Sequence, residues 1–173
     1  MRKKISTVIA FFMVSASYLV IVTFLSGQST ESAIAKYVFH TSETIRYRFP
    51  THINDLVMDR AFATTSEVFI VVLEPGGAPP LHKHDDTEQI FYLLEGKGTL
   101  VIGQDGRTFR VNPGDVVRIP PREWHKIIAD DVMRYLSIDC FVGGKPAAEP
   151  TWESHVKVLC KEQGWDFSKV KEQ

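Results

Sequence analysis

Between Val68 and Phe141 the chain is cut by turn residues into short apolar or alternating runs, which leaves no room for a long helix. The runs are Val68 to Leu73, Gln89 to Leu94, Gly98 to Ile102, Thr108 to Val111, Val116 to Ile119, Trp124 to Ile128 and Met133 to Cys140. A cluster of breakers, Pro75, Gly76, Gly77, Pro79 and Pro80, closes the first run, and Asp105-Gly106 and Asn112-Pro113-Gly114 mark later turns. Short strands at this spacing predict an all-β domain of the double-sheet jelly-roll type over residues 68–141. The run Ile90, Phe91, Tyr92, Leu93, Leu94 is apolar on both faces. One face lines the interior, and the other calls for a second layer, supplied either by a strand or cover segment at 45–67 or by a second subunit in a homodimer.

The ends of the chain read differently. Arg2, Lys3 and Lys4 precede a stretch from Ile5 to Leu25 without a single charge, close to the length a membrane-spanning helix requires. Residues 1–27 are therefore expected to form a hydrophobic helix that anchors the chain in a membrane, with the basic residues on the cytoplasmic side and the rest outside. The alternative is a signal segment cleaved after Ala33-Ile34-Ala35, which would release a secreted or periplasmic protein. Residues 28–44 read as a tether. Residues 142–173 form a C-terminal extension with a short helix from Trp152 to about Gln163, capped by Thr151 and stopped by Gly164, and this helix is expected to serve packing.

The formal net charge is -1, and no basic stripe or helix-turn-helix pattern is present, so a nucleic-acid partner is not expected. Cys140 and Cys160 either pair as a disulfide in an oxidising compartment or remain two separately buried thiols.

The chemistry concentrates between Gly76 and Ala129. His82 and His84 stand two residues apart, which on an extended strand puts both imidazoles on one face and within reach of one metal. Gly76, His82, His84, Gln89 and Gly96 resemble the first cupin motif, G(x)5HxH(x)3-4E(x)6G, in every spacing, with Gln89 where glutamate is usual. Glu88 would satisfy the shorter gap, but a one-residue slip in a strand sends the side chain to the opposite face, so Gln89 is preferred. Gly114, Pro120 and His125 match the second motif, G(x)5PxGxxH(x)3N, while Arg122 replaces its middle glycine and Ala129 its closing asparagine. The resemblance covers about residues 68–141. It implies a double-stranded β-helix, the cupin barrel, holding a divalent transition metal on His82, His84, Gln89 and His125.

Three neutral imidazoles and an amide oxygen suit Fe, Mn, Ni, Cu or Zn without choosing among them. A glutamine in place of a carboxylate leaves the ion's charge uncompensated, which favours an anionic small-molecule ligand. On the last strand Tyr135, Ser137 and Asp139 alternate with apolar residues and Arg134. If the turn near Asp130 sets His125 opposite Tyr135, the polar set shares the metal's side, and Asp139 becomes the candidate general acid/base. His52 reads as a loop residue, His40 and His155 have no evident partner, and Arg46, Arg48 and Arg60 form either a solvated face or an anion site. The expected function is metal-assisted proton transfer or dioxygen chemistry on a small, carboxylated or sugar-like molecule. A non-catalytic ligand-binding module is the alternative.

Overall fold

A computed structural model describes residues 37–172; the segments expected to form an anchor helix and most of a tether lie outside the described residues. Among the described residues no helix is long and apolar enough to cross a membrane.

The strands follow the alternating runs closely. They are β1 (Ile45–Arg48), β2 (Ile53–Met58), β3 (Ser66–Leu73), β4 (Thr87–Glu95), β5 (Gly98–Ile102), β6 (Arg107–Val111), β7 (Val116–Ile119), β8 (His125–Ala129) and β9 (Met133–Phe141). They form an antiparallel six-stranded sheet in the order β1-β2-β3-β9-β4-β7 and a three-stranded sheet in the order β6-β5-β8. The breaker-rich segment after β3 runs along β8 and joins the smaller sheet. Gly76 N donates to Ala129 O at 2.8 Å, and His125 N donates to His82 O at 2.8 Å. His82 and His84 therefore converge from an irregular extended segment with one bridge, His82 to His125, and not from a regular strand.

Two topological expectations need correction. β8 and β9 do not pair: His125 lies opposite Ile102 of β5, while β9 crosses to the other sheet and inserts between β3 and β4. Tyr135, Ser137 and Asp139 still face inward, because their register neighbours Leu93, Phe91 and Gln89 do. Nor does segment 45–67 cover the outer face. β1 and β2 extend the large sheet at its edge, and Tyr92, Leu94 and Val116 remain exposed.

The C-terminal helix forms where expected, as α1 (Trp152–Gln163), followed by α2 (Phe167–Val170). Thr151 and Ser154 make a reciprocal capping box, and Gly164 closes the helix in the left-handed conformation that glycine adopts without steric cost. Trp152, Val156 and Cys160 lie on the buried face of α1 and join one core with Tyr47, Phe69 and Phe91. Cys140 and Cys160 are free thiols, so no disulfide joins the helix to β9.

Arg60, on the short 3-10 turn after β2, is neither solvated nor an anion site. It is 2% exposed and grips Glu67 with two hydrogen bonds of 2.6 and 2.7 Å. Its guanidinium lies over Phe141 at 5.0 Å, and it contacts the Glu149 carbonyl at 3.4 Å. Asp59 Oδ1 accepts from Trp152 N at 2.9 Å. The extension is thus pinned to the barrel at the first turn of α1. Arg46 pairs with Asp55 and Arg48 with Glu172.

Candidate metal centre

Gly96 explains one motif position physically. It sits at φ +73°, and a Cβ there would lie 2.2 Å from the Val132 carbonyl, so β4 can end beside β9 only with glycine. Arg122 stands where the second motif has glycine and keeps a glycine-like backbone at φ 69°. Its N–H donates to His84 O at 2.6 Å, which ties the loop before His125 to the histidine pair and offsets the steric cost of a left-handed arginine.

His82, His84 and His125 each offer a ring nitrogen, and these atoms lie within 4.8 Å of one another. Their tautomers are set from behind. His82 Nδ1 donates to Pro80 O at 2.8 Å and His125 Nδ1 to Glu123 O at 3.0 Å, which leaves each Nε2 with a lone pair pointing away from those carbonyls. His84 Nε2 and His125 Nε2 are buried without a hydrogen-bond partner. Burial lowers the pKa of all three rings. His125 falls to about 4, with repulsion from His82 adding to burial, and His84 lies well below the ordinary value through burial and its two neighbours. The rings are neutral near pH 7, the state that ligates metals.

Gln89 lines the same cavity as the three histidines. Its Nε2 donates to both oxygens of Asp139 at 3.0 and 3.1 Å, and its Oε1 is buried without a partner. Glu88, one residue earlier, points the other way and pairs with Arg118. Ser137 Oγ also donates to Asp139, at 3.0 Å. Burial raises the Asp139 pKa, against the pull of Gln89, Ser137 and Arg60. A carboxylate thus does accompany this site, one layer behind the amide. Both Asp139 oxygens being engaged suits a role in fixing the orientation of the Gln89 amide.

The cluster opens into a cavity of about 240 Å3, below the usual range of about 300–1,000 Å3 for small-molecule sites. Its walls include residues that the sequence offered little reason to select: His52 just before β2 and Asn54 on it, and Trp152, His155 and Trp165 from the C-terminal extension. His52 is a loop residue, yet its ring stacks on Phe49 at 4.7 Å, and burial drives its pKa down to about 3. His155 does have a partner, Glu149 Oε2, 2.6 Å from its Nδ1. The helix α1 is consequently a wall of the site as well as packing.

Buried neutral histidines have a consequence for the metal-free protein. A histidine whose folded pKa lies below its unfolded value contributes stability that is present above about 6.5 and lost as pH falls. His52 and His125 both have this sign, while Asp139 and Glu67, raised by burial, oppose it in the same range. Because His82, His84 and His155 are lowered as well, the histidines outnumber the opposing acids. Urea midpoints measured in chelator are expected to fall from pH 6.5 toward pH 4, by about 1.4 kcal/mol per pH unit for each net proton. His52→Phe should make that slope shallower by one proton, and an unchanged slope would contradict the assignment.

Comparison with known proteins decides the family. Residues 69–139 match the model of the Cupin domain. Those residues form a cupin domain. Of curated relatives, an uncharacterized protein of Methanocaldococcus jannaschii is 41% identical over 56 residues, 32% of this chain and 43% of that protein, so this cupin spans less than half of that relative. The crystal structure of a predicted oxalate decarboxylase from Thermotoga maritima has the same fold at 21% identity and TM-score 0.54, over 61% of this chain and 99% of that one. The polyketide cyclase RemF from Streptomyces resistomycificus is similar at 27% identity and TM-score 0.53, over 64% of this cupin and 82% of that chain. His52, Asn54, Trp152, His155 and Trp165 all lie outside the matched cupin domain.

Proposed function

We propose that this cupin is a metal-dependent enzyme acting on a small oxygen-bearing molecule, with His82, His84, His125 and Gln89 holding one divalent transition metal. The observation that carries this reading is the set of buried acceptor atoms without partners: His84 Nε2, His125 Nε2 and Gln89 Oε1. A buried polar atom without a partner costs about 1–3 kcal/mol, and a single cation bound by the clustered histidines, with Gln89 lining the same cavity, would account for all three. Three nitrogens bound to one ion at about 2.1 Å stand roughly 3.0–3.6 Å apart, so ring nitrogens that already lie within 4.8 Å of one another converge on one ion by ring rotations. A metal held there supplies Lewis-acid polarisation of a ligand oxygen, or redox chemistry if it is redox-active. The protein's own residues fix the tautomers of His82 and His125 through backbone carbonyls, orient Gln89 through Asp139, and offer the ligand a small cavity beside them. The similarity to a polyketide cyclase supports an enzyme over a passive binder.

The test is elemental analysis of the chain purified without added metal, followed by titration of the stripped protein. About one equivalent of a transition metal per chain is expected, released by chelator and regained on titration. A chain that neither carries nor takes up such a metal would overturn the reading.

A further inference from the structure

Resting on that metal-site reading, we infer that His155, held by Glu149, is the proton-accepting residue of this cavity, and that the cavity takes a small molecule with an ionisable hydrogen beside a carbonyl oxygen. His155 projects from the first turn of α1 into the cavity that the three metal-site histidines also line. A ligand held in that cavity of about 240 Å3 lies between walls that include both His155 and the three metal-site histidines.

The pairing is that of a general base. Glu149 Oε2 lies 2.6 Å from His155 Nδ1, which fixes the proton on Nδ1 and leaves Nε2 as the basic atom. Glu149 is itself held by Arg60, whose Nη1 approaches its Oε2 at 3.5 Å. Burial and the Arg60 charge keep His155 neutral, while Glu149 supports its protonated form. The ring is 26% exposed on its side chain, open enough to meet a ligand.

A second observation places the ligand beside it. Trp152, 3% exposed, packs its ring 5.3 Å from that of His155, and its Nε1–H has no hydrogen-bond partner. An indole N–H only donates, so it calls for a ligand acceptor such as a carbonyl oxygen. The proton balance is simple. A ligand O–H or C–H proton moves to His155 Nε2, its bonding electrons stay on the ligand as an oxyanion or enolate, and the imidazolium donates from Nδ1 to Glu149. Asp139 is less suited to this step, because Gln89 and Ser137 occupy its oxygens.

Acetohydroxamate, an ionisable hydroxyl beside a carbonyl, is the probe. Its binding to the zinc-loaded full chain is measured by titration calorimetry in buffers of different ionisation enthalpy, which counts the protons released. The wild-type chain is expected to release close to none, and His155→Gln about one, with affinity roughly tenfold weaker. Glu149→Gln should fall between them, and Trp152→Phe should weaken binding without changing the proton count. Equal counts in wild type and His155→Gln, with probe bound to both, would overturn the inference while leaving the metal site standing. Zinc failing to bind the wild-type chain would overturn the metal reading and this inference together.

Discussion

Replacing His84 with alanine is expected to lower divalent-metal affinity by at least about a thousandfold, a loss of about 4 kcal/mol at 1.4 kcal/mol per tenfold. His84 contributes one of the buried nitrogens without a partner, and no other histidine among the described residues is positioned to replace it in the cluster. The effect should be visible in stability as well as in a binding isotherm. A ligand present at about a thousand times its dissociation constant stabilises the native state by about 4 kcal/mol, so zinc should raise the wild-type unfolding midpoint strongly and leave His84→Ala nearly unmoved. In chelator the variant should lose little, since it removes a buried nitrogen that had no partner and leaves only a small void. His40→Ala, at an exposed histidine, is the control and should retain the full zinc response. A zinc-induced shift that survives in His84→Ala would show that the cation sits elsewhere.

How much of this site the sequence disclosed depends on whether the determining contact is local. The strands were legible because alternation and turn residues are written within a few neighbours, and Gly98 to Ile102 and Val116 to Ile119 begin and end where the pattern does. The helix α1 was legible for the same reason, since Thr151 and Gly164 mark its ends. The path of β9 was not, because inserting between β3 and β4 is a pairing over long chain separation that no local pattern encodes. Arg60 resembled a surface arginine until Glu67, Phe141 and Trp152 enclosed it from three separate parts of the chain. His155 carried a weak local signal, with Trp152 three residues before it on the same helical face and Glu149 just ahead of the cap. What was missing is the docking of α1 against the barrel, which Asp59 and Arg60 determine.

The substitution of glutamine for the usual glutamate now has a physical reading that a charge-exchange experiment can test. Gln89 and Asp139 are register partners on adjacent strands, and the amide donates to both carboxylate oxygens. A glutamine ligand is ambiguous by itself, since either end of the amide can face forward. Asp139 removes the ambiguity, because a carboxylate accepts and repels another acceptor, so Nε2 turns to Asp139 and Oε1 is left as the end available to a metal. Asp139→Asn loses both the charge and this discrimination, and metal affinity should fall by about 10- to 100-fold, the usual cost of disturbing a group behind a ligand. Gln89→Glu sets two carboxylates face to face in a buried site. The metal-free variant should be destabilised by about 1–3 kcal/mol relative to wild type, with added metal recovering part of the loss. The exchange Gln89→Glu with Asp139→Asn restores one carboxylate and one amide in reversed order, so its metal affinity should exceed that of Asp139→Asn alone, and its metal-free stability that of Gln89→Glu alone. Such non-additivity is the signature of two side chains acting through one contact. Additive effects across the cycle, or an Asp139→Asn chain that binds metal as tightly as wild type, would mean that the Gln89 amide is oriented for reasons unrelated to Asp139.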